Sequence, residues 1–308
     1  MKIAIIGGGS CGLYLAWKLA AKGNDVTVFE SNKIIENKTC SGLFSERILE
    51  FVPESKNLIE RQINSVFINF PRKKVELSFS KKFLIIDHSK LNVLLSDLAH
   101  KAGASIVLER KINALPIGFD KIIGCDGSDS FVRKHLKLRG PSLRLGIQGF
   151  ANSTLQQDFV EAWACDGGFI WKIPRTNHTE YGIMSSTNDA YRIFSAFTTK
   201  NKLVLNNIKA KLIPQGLIIP KDEVLTLCGD AAGLTKPWSG GGVIWGFKAA
   251  QLLIDSFPDF TKYRSKTKSF FGPKIILSKL LIKAVYFFGY NIPWLLPKRN
   301  KVESDFLF

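Results

Sequence analysis

Histidine and paired cysteine are scarce in this chain. The four histidines are scattered, and the five cysteines (Cys11, Cys40, Cys125, Cys165, Cys228) include no Cys-x-x-Cys pair. That excludes the usual zinc-ligand spacings, so no metal is expected. An odd, dispersed cysteine set suits a reducing compartment better than a disulfide framework. No charge-free apolar run reaches 18 residues, so no membrane-spanning helix is expected. The opening MKIAIIGGG offers four apolar residues before glycine intervenes, which suits a buried strand and not a secretory signal. A cytoplasmic location follows, with peripheral contact on the inner face of a membrane as a further expectation.

Acidic residues are also in deficit. Against 43 Lys and Arg stand 26 Asp and Glu, a formal charge of +17 that attracts something anionic. Nucleic acid, anionic lipid and an acidic protein all qualify. The chain has no zinc finger and no RNP-like strand, and nucleic acid is not expected as a partner. With 308 residues, 45% of them hydrophobic, there is enough chain for one large core or two modest domains.

The first thirty residues carry the clearest pattern. KIAIIGGGSCGLYLAWKLAAKGNDVTVFE reads as strand, tight turn, helix and strand. Gly7, Gly9 and Gly12 fit G-x-G-x-x-G: the first makes the turn, the second admits a pyrophosphate, the third lets helix and strand pack. Helix N–H groups then face the phosphates, and Glu30 at the second strand's end is placed to accept from a ribose hydroxyl. Its charge argues against a 2′-phosphate at that position.

Further on, SGLFSERILEFV has roughly helical apolar spacing, and HSKLNVLLSDLAHKAG is a second helix closed by Gly103. FDKIIGCDGSDSFVRKHL gives an apolar strand ending beside Asp126. LCGDAAGLTKPWSGGGVIWGF repeats the arrangement: a strand, then Asp230, a Pro237-Trp238 turn, and Gly240, Gly241 and Gly242 opening a helix. Between these blocks, SVFINFPRKKVELSFS, LRLGIQGFA, DFVEAWACDGGFIWKIP and TEYGIMSS alternate as antiparallel strands do. An antiparallel sheet interrupting an α/β unit predicts a second domain built from inserts.

Three blocks, GGGSCG with Glu30, GCDGSDSFVR and LCGDAAGLTKPWSGGGVIWG, resemble the flavoprotein superfamily of aromatic hydroxylases. Two more narrow the likeness. KTCSGLFSERILE is similar to the Cys-Gly-Gly segment of geranylgeranyl reductases, and GGFIWKIP resembles their Y-x-W-x-F-P motif. The archaeal-type digeranylgeranylglycerophospholipid reductases are the family so indicated.

The resemblance implies an α/β Rossmann-like FAD-binding domain, aromatic-hydroxylase-like, with an inserted antiparallel-sheet α+β substrate domain and a C-terminal helical segment. The corresponding ranges are 1–57, 83–140 and 216–260 for the FAD part, 58–82 and 141–215 for the substrate or lid part, and 261–308 for the tail. It also implies that Gly7, Gly9 and Gly12 hold the ADP pyrophosphate, Glu30 the ribose, and that Arg47 lies near the pyrophosphate. Asp126 would support the cofactor from its second side. Asp230 would meet the ribityl chain or diphosphate, with Pro237 and Gly240 to Gly242 beside the isoalloxazine. Cys40 would lie close to the ring, and Phe169, Trp171 and Pro174 would line an isoprenoid pocket. The chain departs from the pattern at Phe169, Ile173, Ser41 and His88, where relatives carry Tyr, an aromatic, Gly and Arg.

The expected reaction is saturation of isoprenoid C=C bonds of geranylgeranyl lipid precursors by hydride from reduced flavin, with Cys40 as a candidate proton donor. A ferredoxin or another electron donor would be the partner. The alternative is a flavin monooxygenase hydroxylating an aromatic or apolar small molecule. Halogenation calls for a Gly-rich turn and lysine that FESNKIIENKTCSG does not reproduce. Beyond Thr261, TKYRSKTKSFFGPKIILSKLLIKAVYFFGYNIPWLLPKRNK interleaves lysines with large apolar residues. Residues 275–288 are helical in period but apolar nearly all round, as in a helix packed over a domain or one touching a membrane.

Overall fold

The computed structural model describes residues 1–35, 40–153, 157–303 and 305. The last residues of the basic tail, 304 and 306–308, lie outside the described residues, as do residues 36–39 of the FESNKIIENKTCSG stretch. The chain divides into two units: Met1–Lys38, His88–Ser142 and Pro214–Ile275 form the first, and Thr39–Asp87, Leu143–Ile213 and Ile276–Phe308 the second.

The first unit is built on a five-stranded parallel sheet. Its order is Leu225–Leu227, Lys121–Gly124, Lys2–Ile6, Asp25–Phe29 and Ser105–Val107. Lys2–Ile6 is central and covered on both faces, which is why Ile3 to Ile6 are all buried and apolar. The helix Ser10–Ala20 makes the crossover to Asp25–Phe29 and packs on His88–Lys101 and Val243–Ile254. Leu13, Leu15 and Leu19 are fully buried there, each worth roughly 1.5–3 kcal/mol. Tyr14 stacks on Phe247 with ring centroids 4.7 Å apart.

The second unit carries a nine-stranded sheet. Its order is Asn206–Gln215, Ser142–Ala151, Thr179–Ser185, Gly168–Pro174, Phe159–Cys165, Ile59–Phe70, Lys73–Ile86 and Arg299–Val302, with Leu43–Ser45 also on Lys73–Ile86. The expected antiparallel sheet is in fact mixed. Ile59–Phe70 runs parallel to Phe159–Cys165, and Arg299–Val302 parallel to Lys73–Ile86. Hairpin turns force antiparallel pairing, whereas strands from distant chain segments join without that constraint. SGLFSERILEFV likewise differs from its helical reading: Leu43–Ser45 is a strand and Ile48–Phe51 a single helical turn. The β-pairing of Leu43–Ser45 with Lys73–Ile86 takes residues that helix periodicity alone assigned elsewhere.

Ile147, Ile170, Ile183, Ala190 and Phe194 form one core of this unit, with the helix Ala190–Lys200 laid on the sheet. Ile63, Ile85, Val160 and Ile173 form another, against which Trp171 packs. A long helix, Phe260–Asn291, supplies residues to both units. Tyr263 donates to the Leu227 carbonyl in the first. In the second, Tyr286 donates to the Gly168 carbonyl, and Gly289 lies against the Phe70 ring, where a Cβ would sit 2.2 Å from it. Ile183→Ala removes a fully buried side chain and should cost about 2–5 kcal/mol, read as an earlier urea transition.

Candidate functional site

The strand-to-helix turn at residues 7–12 is tight for reasons internal to the chain. Gly7 has φ +108°, and a Cβ there would lie 2.4 Å from the Cys125 carbonyl oxygen. On Gly12 a Cβ would lie 2.0 Å from the Gly7 carbonyl oxygen. Gly9 differs from both. It is extended at φ −80°, ψ 176°, and nothing lies within 4 Å of a Cβ built on it. The chain's own packing makes no demand for glycine at 9. Backbone left open there, directly before a helix whose first turn has no side-chain cap, fits an approaching phosphate.

Glu30 is buried and faces this turn. Its carboxylate accepts from the Gly8 N–H at 2.7 Å, the Asn32 N–H at 2.9 Å and the Asn32 side-chain amide at 2.6 Å. Asp126, at the end of Lys121–Gly124, accepts from the Val132 N–H at 3.2 Å through Oδ2. Its buried Oδ1 has no hydrogen-bond partner among the described residues. An unsatisfied buried acceptor next to Gly7 is costly unless a ligand or water meets it.

The second Gly-rich segment belongs to the same unit. Asp230 sits in a short turn of helix, Gly229–Ala232, after Leu225–Leu227. A Cβ on Gly242 would lie 2.8 Å from Asp230 Oδ1, so that glycine lets the carboxylate lie against the start of the Val243–Ile254 helix. Gly240 has φ +71° and donates to the Lys236 carbonyl. A Cβ on Gly241 would meet the Ser239 hydroxyl at 3.3 Å and the end of the Lys236 side chain at 3.9 Å, both side-chain atoms that a small shift would relieve. Pro237 is buried, its carbonyl accepting from Gln215 at 3.3 Å. Arg133 ties the two strand ends together, donating to the Ala231 carbonyl at 2.8 Å and the Ser128 carbonyl at 2.6 Å.

Arg47 belongs to the second unit, where its guanidinium pairs with Glu303 and, at 3.4 Å, with Glu50. Phe169, Trp171 and Pro174 share the strand Gly168–Pro174, with the two rings 5.9 Å apart. Trp171 donates to Glu180 at 3.0 Å, and Arg175 reaches the other oxygen of the same carboxylate at 2.7 and 3.1 Å. Arg175 also donates to the Ser41 carbonyl, so the segment holding Cys40 is tethered to the aromatic strand. Gly42 has φ +60°, and a Cβ there would lie 2.4 Å from the Ile86 carbonyl oxygen and 3.0 Å from Arg175 Nη1. Burial pushes the Cys40 thiol up, and it keeps its proton at neutral pH. Burial pushes the Glu180 carboxyl up as well, opposed by Arg175 and by the Trp171 hydrogen bond.

Two networks escape pattern reading. Arg175 follows the strand Gly168–Pro174 and Glu180 lies on the next one, and the hairpin between them brings the two side chains together. Ser10 donates to Asn92 at 2.6 Å and lies 2.6 Å from His88 Nε2. With that hydroxyl proton committed to Asn92, His88 Nε2 is the donor to Ser10. Cys11 and Cys228 are also brought together, their sulfurs 3.4 Å apart, and burial holds the Cys228 thiol well above its ordinary range.

Residues 5–35 match a family model described as an NAD(P)-binding Rossmann-like domain. An uncharacterized protein of Methanosarcina barkeri is 23% identical over 301 residues, covering 82% of this chain and 73% of its own length. Among solved structures, a geranylgeranyl bacteriochlorophyll reductase-like protein from Thermoplasma acidophilum is similar at TM-score 0.73 and 20% identity, over 92% of this chain and 83% of that one. The flavin-dependent halogenase CmlS is similar at 0.75 and 16%, over 99% and 68%. The flavin-dependent brominase Bmp2 is similar at 0.76 and 12%, over 96% and 89%. These likenesses define the class of fold: a Rossmann-like α/β domain of the FAD-binding kind, an inserted mixed-sheet domain and C-terminal helices.

The turn separates two kinds of glycine, and substitution should separate them too. Gly12→Val should fold poorly. Gly9→Val should stay within about 1 kcal/mol of the parent in thermal melts yet bind FAD at least about 100-fold more weakly by fluorescence titration. Glu180→Ala strands the buried Arg175 charge and should destabilise the chain by about 3–5 kcal/mol, with Glu180→Gln milder, measured by urea denaturation.

Proposed function

We propose that this chain is an FAD-dependent oxidoreductase of the monooxygenase type, acting on an apolar small molecule. The observation that carries the cofactor reading is the open backbone at Gly9, in the same turn as Gly8, which donates to the buried Glu30, and Gly7, which lies against Asp126. Gly7, Gly9 and Gly12 would hold the pyrophosphate, Glu30 the ribose, and Asp230 with Pro237 and Gly240 to Gly242 the flavin half. The matched family model speaks of NAD(P), but the ADP portion is common to both dinucleotides. The second Asp-and-glycine segment, absent from a bare nicotinamide fingerprint, favours FAD.

Reduced FAD supplies two electrons. In a monooxygenase these, with two protons, reduce O2 so that one oxygen enters the substrate and the other leaves as water, and a nicotinamide nucleotide is the source of the electrons. Support for the oxygen-using reading comes from the halogenases, whose folds extend over nearly all of this chain. The second unit would supply Phe169 and Trp171 as apolar lining, and its buried polar groups are already paired, as in the Glu180 network.

A second reading, reduction of an isoprenoid C=C bond, is favoured by one specific observation. Cys40 is held as a protonated thiol on a segment tethered to the Trp171 strand through Arg175. Hydride addition to an isolated alkene leaves one carbon in need of a proton, and such a thiol is a chemically competent source. The reductase-like structure from Thermoplasma acidophilum, matched over most of both chains, supports it too.

One experiment separates the readings. The FAD-loaded protein is reduced without oxygen and then given a geranylgeranyl glycerolipid, or given 18O2 with a panel of phenols and indoles. Label in a phenol or indole product supports the first reading. Anaerobic flavin reoxidation with two hydrogens added per lipid overturns it in favour of the second, where Cys40→Ser should slow turnover by about 10²–10⁴-fold.

A further inference from the structure

From Phe260 to Val302 the chain contains ten Lys and Arg residues and no Asp or Glu. Within that stretch, the second-unit part of the helix Phe260–Asn291 has two unlike sides. Ser278 and Gly289 are buried, Ile282 and Tyr286 are half-buried, and Tyr286 and Gly289 make the contacts to Gly168 and Phe70. The opposite side carries Ile276 (63% exposed), Leu277, Leu280 (59%), Leu281 and Phe287 (55%), a strip about 17 Å long at 1.5 Å per residue. Lys279 and Lys283 stand along one edge of this strip, at the helical offsets that place them between its open and buried sides. Trp294 (73%) and Leu295 continue the exposed apolar surface beyond the helix.

A second basic feature lies in the same unit. Arg72, Lys73, Lys74, Lys298, Arg299 and the carboxylate of Glu76 line an open cleft of about 380 Å³, in which Arg299 pairs with Glu76 at 2.8 Å. Lys74 also lies 3.9 Å from Glu161, and five cations against these two carboxylates leave the cleft positive.

We propose that this face of the second unit is a peripheral membrane-docking surface for anionic lipid. The strip rests its apolar side chains at the acyl boundary, lysines reach from its edge to lipid phosphates, and Trp294 lies at headgroup level. The basic cleft takes a phosphate headgroup. No helix among the described residues is long and apolar enough to cross a membrane, so the segment lies on the surface. A second copy of the chain is a poor occupant: it would bring the same lysine-edged strip, which has no acidic residue of its own, and a formal charge of +17. The proposal does not depend on which reaction the flavin site performs.

The test is flotation of the full-length, FAD-supplemented protein with vesicles of phosphatidylcholine alone or with about 30% phosphatidylglycerol. Binding should be at least about tenfold greater on the anionic vesicles and should fall in about 0.5 M NaCl. Leu280→Glu with Phe287→Glu should reduce it at least about tenfold, while Ile117→Glu, at an exposed site in the first unit, should bind as the parent does. Circular dichroism melts of all variants confirm folding, and because both altered side chains are exposed their melts should match the parent's. Three results overturn the proposal: no binding to anionic vesicles, equal binding by the double variant, or a dimer that the double variant abolishes in a protein that ignores vesicles.

Discussion

Everything in the first unit depends on one close approach: the backbone of Gly12 against the carbonyl of Gly7, and Gly7 in turn against Cys125. Without a Cβ at either position the helix can begin where the strand ends, and its first turn is brought to the edge of the sheet. Three strand ends then converge. Asp126 follows one and Asp230 another, while Glu30 closes the third by accepting from Gly8. The cradle is therefore assembled by backbone geometry first and by carboxylates second. Gly9 stands apart because no described residue fills the space beside it.

The second unit follows a different rule. Its central feature is a carboxylate, Glu180, buried without access to water and satisfied by an indole and a guanidinium at the same time. Burying a charge is expensive, and a buried pair is tolerated only where its geometry and remaining hydrogen bonds are well met. Here they are met by Arg175, which also takes the Ser41 carbonyl and so fixes the position of the Cys40 segment. A polar network of this kind orders a region that apolar packing alone would leave adaptable, and it presents the aromatic face of Gly168–Pro174 in one arrangement. The chain's fold is similar at nearly equal TM-score to a reductase-like structure and to flavin-dependent halogenases, which is why fold alone does not choose between the two chemistries.

How much of this was legible beforehand follows from how local each feature is. The strand, glycine turn, helix and strand of the first unit occupy thirty consecutive residues, each set by neighbours in sequence, so glycine spacing and apolar period were sufficient. The same holds for the strands leading to Asp126 and Asp230. The mixed sheet was not legible, because Ile59–Phe70 and Phe159–Cys165 are joined by no turn and alternation is the same for either direction. The Leu43–Ser45 strand was lost to a helical reading for a related reason: three residues carry too little period to oppose a longer apparent one.

The sequence by itself determined the glycine turn between the first strand and helix, the insertion of a β-rich part into an α/β frame, and a tail that is basic and apolar at once. Those are properties of composition and short-range spacing. Tertiary structure decided which residues meet across long separations: Arg175 with Ser41, 134 residues apart, and Ser10 with Asn92, 82 apart. It also decided which side of the Phe260–Asn291 helix is open. Apolar residues surround that helix in sequence, and only the contacts of Tyr286 and Gly289 with Gly168 and Phe70 select a buried side, because period alone cannot tell two apolar faces apart.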